Sequence, residues 1–220
     1  MSTTLKLTLL SLLPSILLPI HAFAQEIKIT VLDHQQQPVA DIVAYLEPLD
    51  DIKVEPNNEG IEIGQLNKSF TPYISVMQKG SKVTFHNQDD ITHHIYSPVG
   101  ENKFSFKIRS GQSQLKQDFN QVGEIAMGCN IHDWMSGYLL VLDTPYFNKT
   151  NAEGIANINI SEQGKYRLNI WHPQLMEENN KISMVVDTNE IQHHTFKLTK
   201  AMQTIPEQSN NDDFDFLSEY

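Results

Sequence analysis

Short apolar runs of period two recur along the chain, and after residue 24 no stretch keeps the 3.6-residue apolar period of a helix. In residues 26–32, Ile27, Ile29 and Val31 fall on one face and Glu26, Lys28 and Thr30 on the other, as in a half-buried strand. A second strand is predicted over 39–46, stopped by Pro48. Residues 49–60 are polar and acidic and read as a linker, and residues 65–70 lead into a strand at 71–77. Further strands are predicted at 82–85, 93–96, 104–108, 113–119, 124–129 and 138–142, the last apolar enough to be central. Val83 and Phe85 share a face, as do Met127 and Cys129. Beyond a turn at 150–154, the runs 155–160, 166–170, 182–186 and 191–198 complete the pattern, with Ala156, Ile158 and Ile160 on one face. Many short strands at sandwich-like spacing predict an all-β chain.

The first residues have another character. Lys6 is followed by an apolar run to Ile20, broken by Pro14 and Pro19, and then by Ala22-Phe23-Ala24. That is the form of a cleaved secretory signal peptide spanning 1–24, with Gln25 as the mature start, and it predicts periplasmic export. The run is too short for a membrane span. The chain carries 16 Lys+Arg against 27 Asp+Glu, a formal charge of −11. Such a surface disfavours nucleic acid and anionic membrane and favours basic protein partners. The last stretch, 201–220, is polar and acidic and reads as a disordered tail, although Phe214, Phe216, Leu217 and Tyr220 give it apolar points.

The chemistry concentrates in Cys129-Asn130-Ile131-His132-Asp133-Trp134-Met135. It holds the single cysteine, so no internal disulfide can form, and a free thiol in an exported protein calls for a reason. The bland reason is an inert buried thiol. The alternative is a metal: thiolate, imidazole and thioether are the soft donors that suit copper. A second histidine would come from His34, His86, His93, His94, His172, His193 or His194. His193 and His194 are adjacent in a strand and face opposite ways, His86 falls on a polar face, and His172 precedes Pro173 at a strand end.

Asn87-x5-His93-x-Ile95, followed by Cys129-x2-His132-x2-Met135-x-Gly137, resembles the cupredoxins, the blue type 1 copper proteins. The cysteine loop is most similar to that of amicyanin; the plastocyanin loop has two more residues between histidine and methionine. Phe70-x-Pro72 and the block from Gly80 to Asn87 extend the likeness over roughly residues 60–143. The resemblance implies a Greek-key β-sandwich holding one type 1 copper that cycles between Cu(I) and Cu(II). Its ligands would be His93, Cys129, His132 and Met135, with His94 as a competitor of His93. Asn87, His94 and Asn130 would support the ligands, and Trp134 would either pack in the core or join a docking patch beside His132. The chain leaves the family pattern at His94, where an Asn commonly ties the ligand loops together, and at Gly128, where an aromatic residue is common.

Residues 25–48 and 144–200 together resemble a carboxypeptidase regulatory-like domain, a small transthyretin-like β-sandwich, through Thr150-x3-Gly154 and Gly164-x-Tyr166-x-Leu168. The expected organisation is therefore a cupredoxin inserted into a second sandwich. It is similar to a group of exported bacterial proteins labelled methylamine-utilisation proteins. The function implied is outer-sphere electron transfer between redox proteins such as a cytochrome c or a dehydrogenase, and not enzymatic catalysis. A copper carrier or sensor, or a binding module without redox function, is the alternative.

Overall fold

A computed structural model describes residues 25–208 apart from 50, 58, 99, 117 and 118. The signal peptide expected at 1–24 and most of the tail, 209–220, lie outside the described residues.

The described chain is all-β. Its strands are β1 (Gln25–Leu32), β2 (Val43–Pro48), β3 (Ile61–Leu66), β4 (Ser69–Thr71), β5 (Ile74–Gln78), β6 (Val83–Asn87), β7 (His93–Ser97) and β8 (Phe104–Ile108), followed by β9 (Ser113–Lys116), β10 (Gly123–Cys129), β11 (Ser136–Leu142), β12 (Phe147–Lys149), β13 (Ile155–Ile160), β14 (Lys165–Trp171), β15 (Lys181–Asp187) and β16 (His193–Lys197). One 3-10 turn, Glu178–Asn180, is the helical element among the described residues, and none there is long and apolar enough to cross a membrane.

The strands form four sheets, ordered β13-β1-β16, β12-β2-β14-β15, β5-β11-β10-β7-β8 and β4-β3-β6-β9. The first two enclose one core, with Ile27, Ile29 and Val31 of β1 against Ala44, Leu46, Tyr166, Leu168 and Ile170. The last two enclose another, which includes Ile63, Phe85, Ile95, Phe119, Leu139 and the site residues Cys129 and Met135. β1 runs antiparallel to β13 and parallel to β16, and β2 lies between β12 and β14. The opening strands thus pair with strands beyond residue 146, and residues 61–142 form their two sheets between them.

A third apolar cluster joins the sandwiches. Val43, Tyr45 and Trp171 of the β2–β14 sheet meet Ile74, Leu140 and Leu142 of the β5–β11 sheet. The result is a four-layer stack in which β2 and β11 are buried on both faces: Val43 to Leu46 and Leu139 to Leu142 are all buried. Burial on both faces erases alternation, which explains why residues 39–46 read as one strand while β2 starts only at Val43. Asp41, just before it, has φ 60°, outside the strand region.

Local chemistry closes the second sandwich. Thr150 Oγ1 accepts from Ile42 N at 3.0 Å and donates to Val39 O at 2.7 Å, while its own N–H reaches Ile42 O at 2.9 Å. Gly154 has φ 70°, and a Cβ there would lie 2.6 Å from Val31 O. Only glycine allows the turn to approach β1 so closely. β3 and β12 were not expected, and the strand expected over 71–77 is divided, with β4 ending at Thr71 and β5 beginning at Ile74. In β3 the buried face carries Gln65, fully enclosed, and Gly64 interrupts the run; β12, with three residues, is too short to show a period. Residues 201–208, expected as the start of a disordered tail, are coil tied to both sandwiches. Gln203 N donates to Gln174 O at 2.9 Å, and Ser69 Oγ donates to Gln208 O at 2.6 Å.

Candidate metal centre

Two loops at one pole of the β5-to-β8 sheet build the site. The first follows β6. Asn87 is buried and its amide holds the loop, donating to Ile91 O at 2.7 Å and Ile108 O at 2.9 Å while Oδ1 accepts from Asp89 N at 3.0 Å. This sets His93 at the start of β7, facing inward with no exposed surface. The second loop links β10 to β11. Cys129 ends β10 on its buried face, and a tight turn closed by Met135 N to His132 O at 3.1 Å returns the chain to β11.

Three of the four expected ligands converge. Cys129 Sγ lies 3.7 Å from His93 Nδ1 and 3.9 Å from His132 Nδ1. The donor atoms of all three residues lie within 4.8 Å of one another, and all three residues are buried. Met135 is 1% exposed and belongs to the same core cluster as Cys129. Such a cluster could hold a metal ion.

Asp89 is the residue that sequence reasoning missed. Its Oδ2 lies 2.8 Å from His93 Nε2, which places the proton on Nε2 and frees the Nδ1 lone pair to face the sulfur. The same carboxylate accepts from Asn67 N at 2.6 Å and Lys68 N at 2.9 Å, in the β3–β4 turn where both residues have positive φ. One side chain thus fixes the His93 ring and caps a hairpin. Its signal in the sequence was a carboxylate in the loop four residues before the histidine, read only as loop.

The electrostatics favour the thiolate form of Cys129. Burial pushes the Cys129 thiol up, but the His93 contact and the backbone N–H groups of Ile131, His132 and His94 outweigh it and lower its pKa. For His93, burial opposes protonation, yet Cys129 and Asp89 together raise its pKa. For Asp89, burial pushes upward and the Lys68 N–H, the His93 ring and the Asn67 N–H pull its pKa down. His132 goes the other way: burial, then His93 and Lys68, keep it neutral further into acid.

His94, the rival ligand, points to the opposite face of β7. Its Nε2 lies 2.8 Å from Ser105 Oγ and its Nδ1 3.0 Å from Asn130 Nδ2, while its carbonyl accepts from Asn130 N at 2.9 Å. His94 and Asn130 therefore tie the two ligand loops together, the task expected of an Asn at position 94. The second departure is filled from across the sheet. Gly128 pairs with Tyr96, and a Cβ at 128 would sit 3.1 Å from the Tyr96 ring. The aromatic group comes from β7 and lies where a side chain at 128 would stand. Trp134 is half-buried, its ring centroid 5.1 Å from that of His132. The other histidines lie elsewhere: His86 contacts Ser113 and Glu62, His193 contacts Thr30, and His172 is buried just after β14 with Nδ1 accepting from Gln174 N at 3.1 Å.

Neither a protein-family profile nor a curated protein sequence matches the chain. Solved structures do. A purple cupredoxin from Nitrosopumilus maritimus is similar over 37% of this chain and 98% of its own, at 22% identity and a TM-score of 0.33. Amicyanin from Paracoccus versutus is similar over 44% of this chain and 98% of its own, at 17% identity and a TM-score of 0.35. A copper-containing nitrite reductase from Thermus scotoductus is similar over 51% of this chain, which spans 28% of that enzyme, at 21% identity and a TM-score of 0.35.

Proposed function

We propose that the chain is an exported, mononuclear copper protein that transfers electrons between protein partners. The observation that carries this reading is the triangle of buried donors. A metal about 2.3 Å from a thiolate and about 2.0–2.1 Å from each imidazole nitrogen, at trigonal angles, separates sulfur from nitrogen by about 3.8 Å. The separations here are 3.7 and 3.9 Å. The donor set is soft, the cysteine is held toward thiolate, and His93 Nε2 is engaged by a carboxylate, as metal-bound histidines require.

Copper, when bound, would supply a one-electron couple. His93, Cys129 and His132 would hold it, with Met135 as the fourth, weak ligand. Everything else in the site resists movement: Asn87 braces one loop, Asn130 and His94 lock the two loops together, and Asp89 fixes the His93 ring. A cage that does not reorganise suits a metal that changes charge. It also leaves no open coordination position for a substrate, which favours a carrier over an enzyme.

The test is optical. The mature chain is loaded with Cu(II) and its visible spectrum recorded. Strong thiolate-to-copper absorption, lost in Cys129→Ser, supports the reading. Stoichiometric copper binding without that absorption would replace it with a carrier or sensor, and no binding would leave a module without redox function.

A further inference from the structure

The outer face of the five-stranded sheet is covered over half its width. Its β5–β11 side carries Ile74, Leu140 and Leu142 and is packed against the second sandwich. The other half, formed by β10, β7 and β8, has no layer over it among the described residues. Alternation assigns this open face Ala126 and Gly128 from β10, His94 and Tyr96 from β7, and Ser105 and Lys107 from β8. Lys103 and Arg109 flank β8 in the same alternation, and both are exposed.

The charge on this face is opposite to that of the molecule. Residues 101–109, β8 and its flanks, hold Lys103, Lys107 and Arg109 against one carboxylate, Glu101, in a chain of formal charge −11. Ion pairs elsewhere engage Lys79 with Asp143, Lys149 with Asp41 and Lys200 with Glu177. Lys103, Lys107 and Arg109 make no ion pair with the described residues. By alternation Glu124 also falls on this face, at the far end of β10, where it accepts from Asn180 Nδ2 of the second sandwich.

The face also lies directly behind the donors. Lys107 pairs across the strands with His94, and Ser105 with Tyr96. His94 O accepts from the N–H of Asn130, the residue after Cys129, at 2.9 Å, and Tyr96 covers Gly128, the residue before it. A shallow concavity lined by Tyr96, Pro98, Lys103, Phe104, Ser105 and Asn130 opens on it.

We propose that the open half of this sheet is a docking surface for a carboxylate-bearing face of a protein partner, centred on Tyr96 and His94 and steered by Lys103, Lys107 and Arg109. Charge complementarity selects the occupant, because local cations beside an apolar and aromatic centre raise encounter rates with an acidic surface. This differs from the basic partner expected from net charge. That the partner exchanges electrons here rests on the copper reading; the docking itself does not.

The test is therefore made on the metal-free full chain. A glutamate homopolymer is titrated into the isotope-labelled protein and backbone amide shifts are followed. Net charge repels this probe, so binding requires an organised local patch. Shifts confined to residues 94–109 and 126–130, abolished as screening grows at high salt, support the proposal. Lys107→Glu with Arg109→Glu should weaken the binding roughly tenfold, and Lys107→Arg should leave it unchanged. Absent shifts, shifts centred elsewhere, or binding indifferent to the double reversal would overturn it and leave the cations as guards of an edge strand. Amide positions on this face that move with the protein's own concentration would overturn it as well, naming a second copy as occupant.

Discussion

Replacing Asp89 by alanine removes the acceptor of three donors at once: His93 Nε2 at 2.8 Å, Asn67 N at 2.6 Å and Lys68 N at 2.9 Å. The losses are unequal. The His93 ring is wholly buried, so its N–H is orphaned, at about 1.5–3 kcal/mol for a bond to a charged group. The turn N–H groups are exposed and can turn to water, so each costs about 0.5–1 kcal/mol, in the range of a lost helix cap. The sum is about 2.5–5 kcal/mol of stability in the metal-free protein, read by urea unfolding at neutral pH. Freed of its partner, the ring also loses its preset orientation, and copper affinity should fall about 10–100-fold in a competition titration. Asp89→Asn sharpens the test. The carboxylate uses Oδ1 for Asn67 and Oδ2 for both Lys68 and His93, whereas an amide offers one acceptor oxygen, so roughly half of the loss should remain. Burial raises the Asp89 pKa but its donors lower it overall, so its contribution is present above the ordinary carboxylate range and disappears as pH falls through the depressed folded value. If Asp89→Ala unfolds within about 1 kcal/mol of the wild type and keeps its copper affinity, the carboxylate does not organise this site.

Three further outcomes follow from the packing. Gly128→Ala drives a Cβ to 3.1 Å from the Tyr96 ring and should cost about 1–2 kcal/mol by denaturant unfolding, most of it recovered when Tyr96→Ala is added, because the strain is steric and shared by one pair. Thr150→Val leaves the Ile42 N–H and Val39 O without the hydroxyl and should lower stability by about 1–3 kcal/mol; a neutral result would mean those groups find water. His172 is buried, and burial pushes its pKa down to about 4. Between that value and the unfolded value of about 6.5, the unfolded chain binds a proton that the folded one excludes, so stability falls as pH falls. From pH 7.5 to pH 5 this amounts to about 2 kcal/mol, to be compared with the His172→Gln variant, whose acid limb should be shallower by that amount.

Strands with one solvated face were legible in the sequence. The alternation of Ile27, Ile29 and Val31, and of Ala156, Ile158 and Ile160, ends in residues at most 3% exposed. Strands buried on both faces, or with Gln65 at a core position, hid their bounds because periodicity reports one boundary between oil and water and these have two or a polar exception. The Cys129–Met135 loop was legible because its donors are close in sequence. His93 was separated from His94 only by the pleat, which sends the neighbour to the outer face. Asp89 and Tyr96 were not legible. Asp89 earns its role from a hairpin turn 21 and 22 residues away, and Tyr96 from a cross-strand glycine. Both depend on which strands become neighbours, and alternation says nothing about that.

The central claim is a single redox-active copper in a cage that does not rearrange, and voltammetry of the copper-loaded full chain tests it most directly. The account predicts one reversible one-electron couple at one copper per chain, absent from Cys129→Ser and displaced in potential by Asp89→Asn. Irreversible waves with copper released on reduction, or a reversible couple that survives Cys129→Ser, would contradict it.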